Sequence, residues 1–408
     1  MFRLILFLVF VSKVFCEEDR VVLLDIGGVR GEKFWDGDYF EFFGIPYATV
    51  PKGRDRYKAP LPVEPWEGIM DAKIRNTACQ QVYLTEDDDE EIILDGMEEC
   101  LTMNIFVPRI ASEEKPVPVL VYIHSGAYSG GSGNMGRFNY LARHDVVVVS
   151  FNYRLGAIGF AFDRTPIKTA KNLAIAIGFN SNGTIEELNE FLINAPIKGL
   201  AVQSKNFFLT NSTFGLAPCV ENVIDNVEPF MTEPPLITLH RGDYKQLPVL
   251  TGFSNMEGIS RTIKFSEWID MMNDNFADFL PGDLLFNDKK SKEELIAEIK
   301  RLYFKDEEVS HDTLQGYVDY FSDSMFKYAI MKSAKLHSVK SDKPVFLYEF
   351  SYVGKLNFKH HFMDKLKGAS HRDQTAYLID FYEHTTRSKD FDTRDRLTTM
   401  WTDFVKYE

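Results

Sequence analysis

A loop of small residues follows an apolar stretch in the segment 122–133, which reads Tyr-Ile-His-Ser-Gly-Ala-Tyr-Ser-Gly-Gly-Ser-Gly. Backbone N–H groups can converge on a developing negative charge only where side chains are absent or small, so residues 124–127 have the composition of an oxyanion-stabilising loop. A glycine-rich phosphate cradle is the competing interpretation, but the Gly-Lys-Ser/Thr ending of such a cradle is missing here. The loop therefore favours chemistry in which an oxygen becomes negatively charged.

Strands must hold this loop, and the sequence around it has strand character. Continuous apolar runs without alternation are typical of strands buried on both faces of a mainly parallel sheet, and they occur at 117–123, 146–150, 247–251 and 345–350. Nearer the N-terminus, the short aromatic and β-branched runs at 21–25 and 39–43 predict an antiparallel meander.

Helices are predicted between and after these strands. Thr184 with Glu187, and Ser291 with Glu294, fit capping boxes that would each start a helix. The segment 314–337 predicts one long or broken helix. Since no repeat, linker or shift in composition marks a boundary, residues 17–408 are expected to form one large α/β domain.

The composition excludes several classes of partner. The 408 residues are 45% hydrophobic and 26% charged, and the formal net charge is −14, which argues against nucleic acid or an anionic membrane as the main partner. No apolar run reaches the length of a membrane span. The acidic run 86–91 is interpreted as a solvated acidic face, with steering of cationic ligands as the alternative.

The first residues predict a signal peptide. Arg3 precedes the apolar stretch 4–11, and Val14 and Cys16 occupy the −3 and −1 positions of a cleavage site before an acidic cluster. We therefore expect residues 1–16 to be removed and the mature protein to be secreted.

Secretion permits disulfides and glycosylation. Without Cys16, the cysteines that could pair in an oxidising compartment are Cys79, Cys100 and Cys219. The Asn-x-Thr triplets at Asn182 and Asn211 are candidate N-glycosylation sites.

Eight segments, in order along the chain, carry a resemblance to a known family. They are 42–48 (Phe-Phe-Gly-Ile-Pro-Tyr-Ala), 65–66 (Pro-Trp), 99–105 (Glu-Cys-Leu-Thr-Met-Asn-Ile), 121–127 (Val-Tyr-Ile-His-Ser-Gly-Ala), 152–160 (Asn-Tyr-Arg-Leu-Gly-Ala-Ile-Gly-Phe), 251–258 (Thr-Gly-Phe-Ser-Asn-Met-Glu-Gly), 368–371 (Gly-Ala-Ser-His) and 400–401 (Met-Trp). The chain thereby resembles the type-B carboxylesterases, which include the cholinesterases and the secreted insect esterases, among them those that act on juvenile hormone.

The resemblance implies an α/β-hydrolase fold with a mainly parallel central sheet, flanking helices and the N-terminal meander. It also implies a Ser-Glu-His triad, in which the acid orients a histidine that deprotonates a serine. Glu257 matches the acid and His371 the general base, while Gly126 and Ala127 match the oxyanion N–H donors. No metal and no cofactor are implied.

The resemblance further pairs Cys79 with Cys100 and leaves Cys219 free. In the family, this disulfide closes a loop near the mouth of the active site. A bridge across the 20 intervening residues stabilises a fold by about 3 kcal/mol.

The serine of the triad has no counterpart in this chain. The family places it in Gly-x-Ser-x-Gly, and no serine here has glycine at both −2 and +2; Ser132, Ser254 and Ser370 each have glycine only at −2. The family pattern stops at Phe160 and resumes near Lys168, and the chain ends before the family's last segment. We interpret this as an internal deletion near 160–168, with the nucleophile strand and elbow missing, and a C-terminal truncation. A shortened transcript, an incomplete gene sequence and an evolved loss all fit.

The sequence thus predicts a secreted carboxylesterase-family protein whose lineage hydrolyses carboxylic esters but which is itself inactive. A small-molecule ester would be the substrate of the full-length form. The alternative is a non-catalytic, cholinesterase-like binding or adhesion protein, although such proteins usually keep the nucleophile strand and precede a membrane span. The oligomeric state is not predicted.

The deletion also predicts a problem for the fold. Removing a strand from the middle of a sheet leaves its neighbours roughly 10 Å apart, with two unpaired ladders of backbone groups. We expect the flanking strands either to shift and pair directly or to leave the chain unstable.

Overall fold

The computed structural model describes residues 19–34, 38–84, 92–160, 167–204, 215–218, 220–221, 228–362, 364–381 and 388–408. The predicted signal peptide, the acidic run 86–91, Cys219 and Asn211 lie outside these residues, as does most of the junction 160–168.

Most of the strands lie in the first 151 residues, and helices predominate after them. The strands are β1 (Asp19–Leu24), β2 (Gly27–Lys33), β3 (Tyr39–Pro46), β4 (Ile69–Asp71), β5 (Gln81–Leu84), β6 (Ile92–Asp95), β7 (Thr102–Pro108), β8 (Val119–Ile123), β9 (Val147–Phe151), β10 (Val249–Ser254) and β11 (Val345–Phe350). The helices are α1 (Asn139–Ala142), α2 (Gly156–Phe160), α3 (Ile167–Ala176), α4 (Ile185–Asn194), α5 (Ile197–Ser204), α6 (Pro235–Arg241), α7 (Phe265–Asp274), α8 (Lys289–Ile299), α9 (Leu314–Ser322), α10 (Tyr328–Lys340), α11 (Thr375–Leu378) and α12 (Ser388–Tyr407).

The larger sheet contains the predicted meander. Its strands follow the order β1-β2-β3-β7-β9-β8, with β4 paired to β2. The pairs from β1 to β9 along this order are antiparallel, whereas β8 pairs parallel to β9 and β4 parallel to β2. The sheet is therefore mixed, and one of its two parallel pairs includes β8, the strand that leads into the loop of small residues.

The parallel strands do not form one continuous sheet in the described residues. β10 and β11 pair in parallel with each other as a separate two-stranded sheet, and no strand of the described ranges pairs with the outer side of β8. The expected direct pairing of the flanking strands is thus not seen.

The prediction that β8 is buried on both faces is wrong for the same reason. Val119, Val121 and Ile123 are 56%, 57% and 65% exposed, because no described element covers their face. On the opposite face, Tyr122 packs against Phe138, with ring centroids 5.0 Å apart.

One apolar core is shared by the larger sheet and the β10–β11 pair, because it contains Val148 of β9 and Phe350 of β11, and a second core lies among the helices. Phe106, Phe138 and Tyr377 belong to the core beneath β7–β9 and α11–α12. Trp268 and Phe321 belong to an aromatic core among α7, α9 and the turns between them, beside β10. No helix among the described residues is long and apolar enough to cross a membrane.

The predicted helices form, with one different start. Thr184 and Glu187 make the predicted capping box, with hydrogen bonds of 3.2 and 2.8 Å between side chain and backbone. The box predicted at Ser291 is wrong: α8 begins three residues earlier because the Asp288 carboxylate accepts from the Ser291 N–H at 2.7 Å and caps it. The segment 314–337 is one helix interrupted by a π-helical turn at Asp323–Lys327.

Candidate active site

Glu257 and His371, which are 114 residues apart in the chain, meet at the end of β10. Glu257 opens a 3₁₀ helix at Glu257–Lys264 and is 3% exposed. Its Oε1 accepts from the Ser254 backbone N–H at 2.6 Å, and its Oε2 lies 2.7 Å from His371 Nδ1. A carboxylate held in this way keeps the proton on Nδ1 and leaves Nε2 as the basic nitrogen.

The packing around residue 258, which follows Glu257, leaves no room for a side chain. A Cβ atom at this position would lie 2.1 Å from the carbonyl oxygen of Val318 on α9. The Gly258 N–H also donates to the Ser322 hydroxyl at 2.8 Å. Close packing of α9 against the turn therefore fixes Glu257 beneath the histidine.

An aromatic ring, which the sequence did not identify, packs on the histidine. The Phe326 ring lies 4.4 Å from the His371 ring, with 32° between their planes. Phe326 belongs to the π-helical turn Asp323–Lys327, and π turns often occur at functional sites. The apolar pattern of the segment did not predict this contact, because a π turn changes the face of the helix on which a residue lies.

No described hydroxyl or thiol is hydrogen-bonded to Nε2 of His371. The three serines considered above, each with glycine at −2, form no hydrogen bond with His371 within the described residues. Ser132 Oγ accepts from the Asn134 N–H, and Ser254 Oγ donates to Gln374. The Ser370 hydroxyl is buried and has no partner in the described part of the chain.

The loop after β8 contains three consecutive residues with positive φ. Gly126, Ala127 and Tyr128 have φ values of +129°, +49° and +58°, and a Cβ at Gly126 would lie 1.9 Å from the carbonyl oxygen of Gly130. The N–H groups of Gly126 and Ala127 make no hydrogen bond within the described residues. Two adjacent N–H groups without partners can stabilise an oxyanion.

Neighbouring side chains hold this loop. The Tyr153 hydroxyl donates to the His124 carbonyl oxygen at 2.7 Å, and the two rings stack 4.2 Å apart. Burial lowers the pKa of His124, whose Nδ1 bonds the Ser125 carbonyl oxygen. Gln81 bonds both the N–H and the carbonyl oxygen of Gly131, at 2.7 and 3.0 Å.

A cavity of about 810 Å³ lies beside the loop. Ser125, Gly126 and residues 129–132 form part of its wall, together with Arg75 and Arg372. Ala127, Glu257 and His371 are not among the lining residues, although Arg372 follows His371 directly in the chain. No cluster of three or more potential metal-ligating side chains occurs in the described ranges.

The disulfide borders the same cavity. Cys79 and Cys100 are bonded to each other and buried, and Ala78 and Asp95, close to them, line the cavity. Asn182, the described glycosylation candidate, is exposed in the turn before α4.

Comparisons with known proteins agree with this architecture. The sequence profile of the Carboxylesterase family matches residues 18–166 and 161–408, in two overlapping parts. Esterase E4 of Myzus persicae is 27% identical over 456 aligned positions, which cover 90% of this chain and 82% of the relative. The juvenile hormone esterase of Tribolium castaneum is 25% identical over 473 positions, with 90% and 80% covered.

A solved structure shares the fold. The crystal structure of juvenile hormone esterase from Manduca sexta, with OTFP covalently attached, superimposes with a TM-score of 0.81 at 24% identity, over 96% of this chain and 90% of that one. The fold is thus that of an α/β-hydrolase, and the profile covers nearly all of the sequence. The chain belongs to the carboxylesterase family.

Proposed function

We propose that this chain is a secreted carboxylesterase-family protein that keeps the acid–base pair and the oxyanion loop of a serine esterase but does not turn over esters. Glu257 orients His371, and the N–H groups of Gly126 and Ala127 are the oxyanion donors. Acyl transfer also needs a nucleophile whose proton the histidine removes. The chain supplies no serine in the required sequence context.

The observation that carries this proposal concerns Nε2 of His371, the ring nitrogen that is not hydrogen-bonded to Glu257. Its Nδ1 is bound to Glu257 at 2.7 Å, while no described hydroxyl or thiol bonds Nε2. Within the described residues, His371 therefore has no hydroxyl or thiol from which to remove a proton.

The comparisons support an internal deletion as the reason why the serine nucleophile is missing. The family match is divided at 161–166, and the alignment with esterase E4 is longer than the whole chain, so parts of that relative have no counterpart here. In the structure, this position falls between β9 and β10, and the outer side of β8 has no described strand. We therefore place the missing nucleophile strand between residues 160 and 168, within one domain spanning 17–408.

Secretion is supported by the N-terminal sequence and by the buried disulfide Cys79–Cys100, because disulfides persist in oxidising compartments. The family relationship makes carboxylic esters the substrate class of the lineage.

Hydrolysis of p-nitrophenyl acetate tests the proposal. The purified chain and its His371→Ala variant should show equal, background rates, and neither should be labelled by a fluorophosphonate. A secreted insect esterase in the same assay checks the reagents. Faster hydrolysis by the wild type than by His371→Ala, or stoichiometric labelling of any serine, would show that a nucleophile exists.

A non-catalytic binding role is the second candidate. It is favoured by the cavity beside the loop, where N–H and hydroxyl groups lack partners within the described residues.

A further inference from the structure

The cavity beside the loop contains a guanidinium that no described carboxylate neutralises. Arg372 lines it, and the structure gives this side chain no ion pair among the described residues. Its Nε is buried without a hydrogen-bond partner, and its guanidinium carbon lies 5.7 Å from the Phe358 ring centroid. Arg75, the other arginine in the wall, is already paired with Glu32 and Glu41 at 2.7 and 2.9 Å.

The backbone at Arg372 is also unusual. Its φ is +68°, a left-handed conformation that costs a non-glycine residue energy. Glycine would adopt this conformation without strain. Glycine at this position would therefore be more favourable for the fold alone, and the arginine side chain is held there at a cost.

Two further groups of the wall can donate hydrogen bonds and have no partner among the described residues. The Ser125 hydroxyl is buried without a partner, and the N–H of Gly126 is unbonded within the described chain. The carboxylate in the wall, Asp95, is exposed to solvent, and therefore screened. A ligand that satisfies these donors must present acceptor oxygens, and a carboxylate presents acceptors alone.

The rest of the wall is suited to an apolar chain. Ala78, Val82 and Met135 contribute to it, and the volume of about 810 Å³ is far larger than a small inorganic anion requires.

From these observations we propose that the cavity binds a monocarboxylate with an apolar chain, and that Arg372 holds its carboxylate. Charge-assisted hydrogen bonds from a guanidinium to a carboxylate are stronger than those between neutral groups. The site rests on the non-catalytic binding role proposed above and gives it a ligand class, since binding an acid requires no nucleophile.

Isothermal titration calorimetry with octanoate and with its neutral analogue octanamide tests the assignment. Octanoate should bind at least about 10-fold more tightly than octanamide, because the amide cannot pair with the guanidinium. Equal affinities would overturn the proposal. Inorganic phosphate that binds as tightly as octanoate would overturn the assignment to a carboxylate with an apolar chain.

Variants separate the guanidinium from the fold. Arg372→Gln should weaken octanoate binding about 10- to 100-fold and leave octanamide binding unchanged, whereas Arg109→Gln, at an exposed arginine, should change neither. Arg372→Gly should lose the same affinity while its thermal midpoint stays equal or rises. Unchanged octanoate binding in Arg372→Gln would refute the site. Ester hydrolysis by the wild type would overturn the proposed function but would leave these affinities as they are.

Discussion

The outer side of β8 should cause self-association of the protein. This strand presents Val119, Val121 and Ile123, each more than half exposed, and no described strand pairs with its free backbone groups. A strand edge that has exposed apolar side chains and unpaired backbone groups recruits other chains. We predict that Val121→Lys, which places a charge in the middle of the edge, keeps the protein monomeric at concentrations where the wild type associates.

The magnitude follows from the exposed fractions. Full burial of a valine or isoleucine side chain contributes about 1.5–3 kcal/mol. Three side chains that are 56–65% exposed therefore offer roughly 3–5 kcal/mol when another molecule covers them. Removing one of the three and burying an ammonium group in its place should weaken association by well over about 10-fold.

Sedimentation velocity over a range of concentrations measures the effect. The matched control is Ile185→Lys, because Ile185 is 62% exposed but belongs to α4 and has no open strand edge. If association depends on the edge, Val121→Lys reduces it and Ile185→Lys does not. Equal behaviour of the wild type and Val121→Lys, or an equal effect of Ile185→Lys, would refute this reasoning.

Two further predictions concern stability, measured by urea unfolding. Replacing both Cys79 and Cys100 by serine should lower the free energy of unfolding by about 3 kcal/mol, since the disulfide closes a separation of 21 residues; an unchanged midpoint would mean that it does not constrain the unfolded chain. Thr184→Ala should cost about 1 kcal/mol by removing the cap of α4, with Thr184→Ser retaining most of it; a loss of equal size in Thr184→Ser would contradict the capping explanation.

The residues of the candidate site were predictable where a short motif fixes a local geometry. Glu257 and His371 were identified by resemblance alone, and the structure brings them within hydrogen-bond distance. The packing of Gly258 against Val318 gives a physical reason for the Glu-Gly pair. Their roles as acid and base stay predictions until activity is measured.

Other features depend on contacts that the sequence does not reveal. Phe326 reaches His371 through a π turn, and the exposure of β8 depends on which strands are neighbours. The start of α8 was missed because two residues three positions apart could each cap it, and the carboxylate of Asp288 does so. Local propensity leaves such choices open.

The retained groups of the site belong to two separate sheets. The loop 124–131 follows β8 and is held by Tyr153 and Gln81, whereas Glu257 follows β10 and is held by Ser254 and α9. None of these contacts involves a residue of the segment 160–168, where the missing strand is proposed.

The sheets are nevertheless connected on the side of α1 and α12. Arg137 and Asp380 exchange backbone hydrogen bonds of 2.9 and 2.8 Å, and Thr398 of α12 contacts His144 at 3.3 Å. Under the proposed deletion near residues 160–168 the nucleophile is lost, while these contacts and those that hold Glu257, His371 and the loop lie outside that segment. The proposed loss of covalent chemistry is therefore compatible with the proposed binding of a ligand in the cavity.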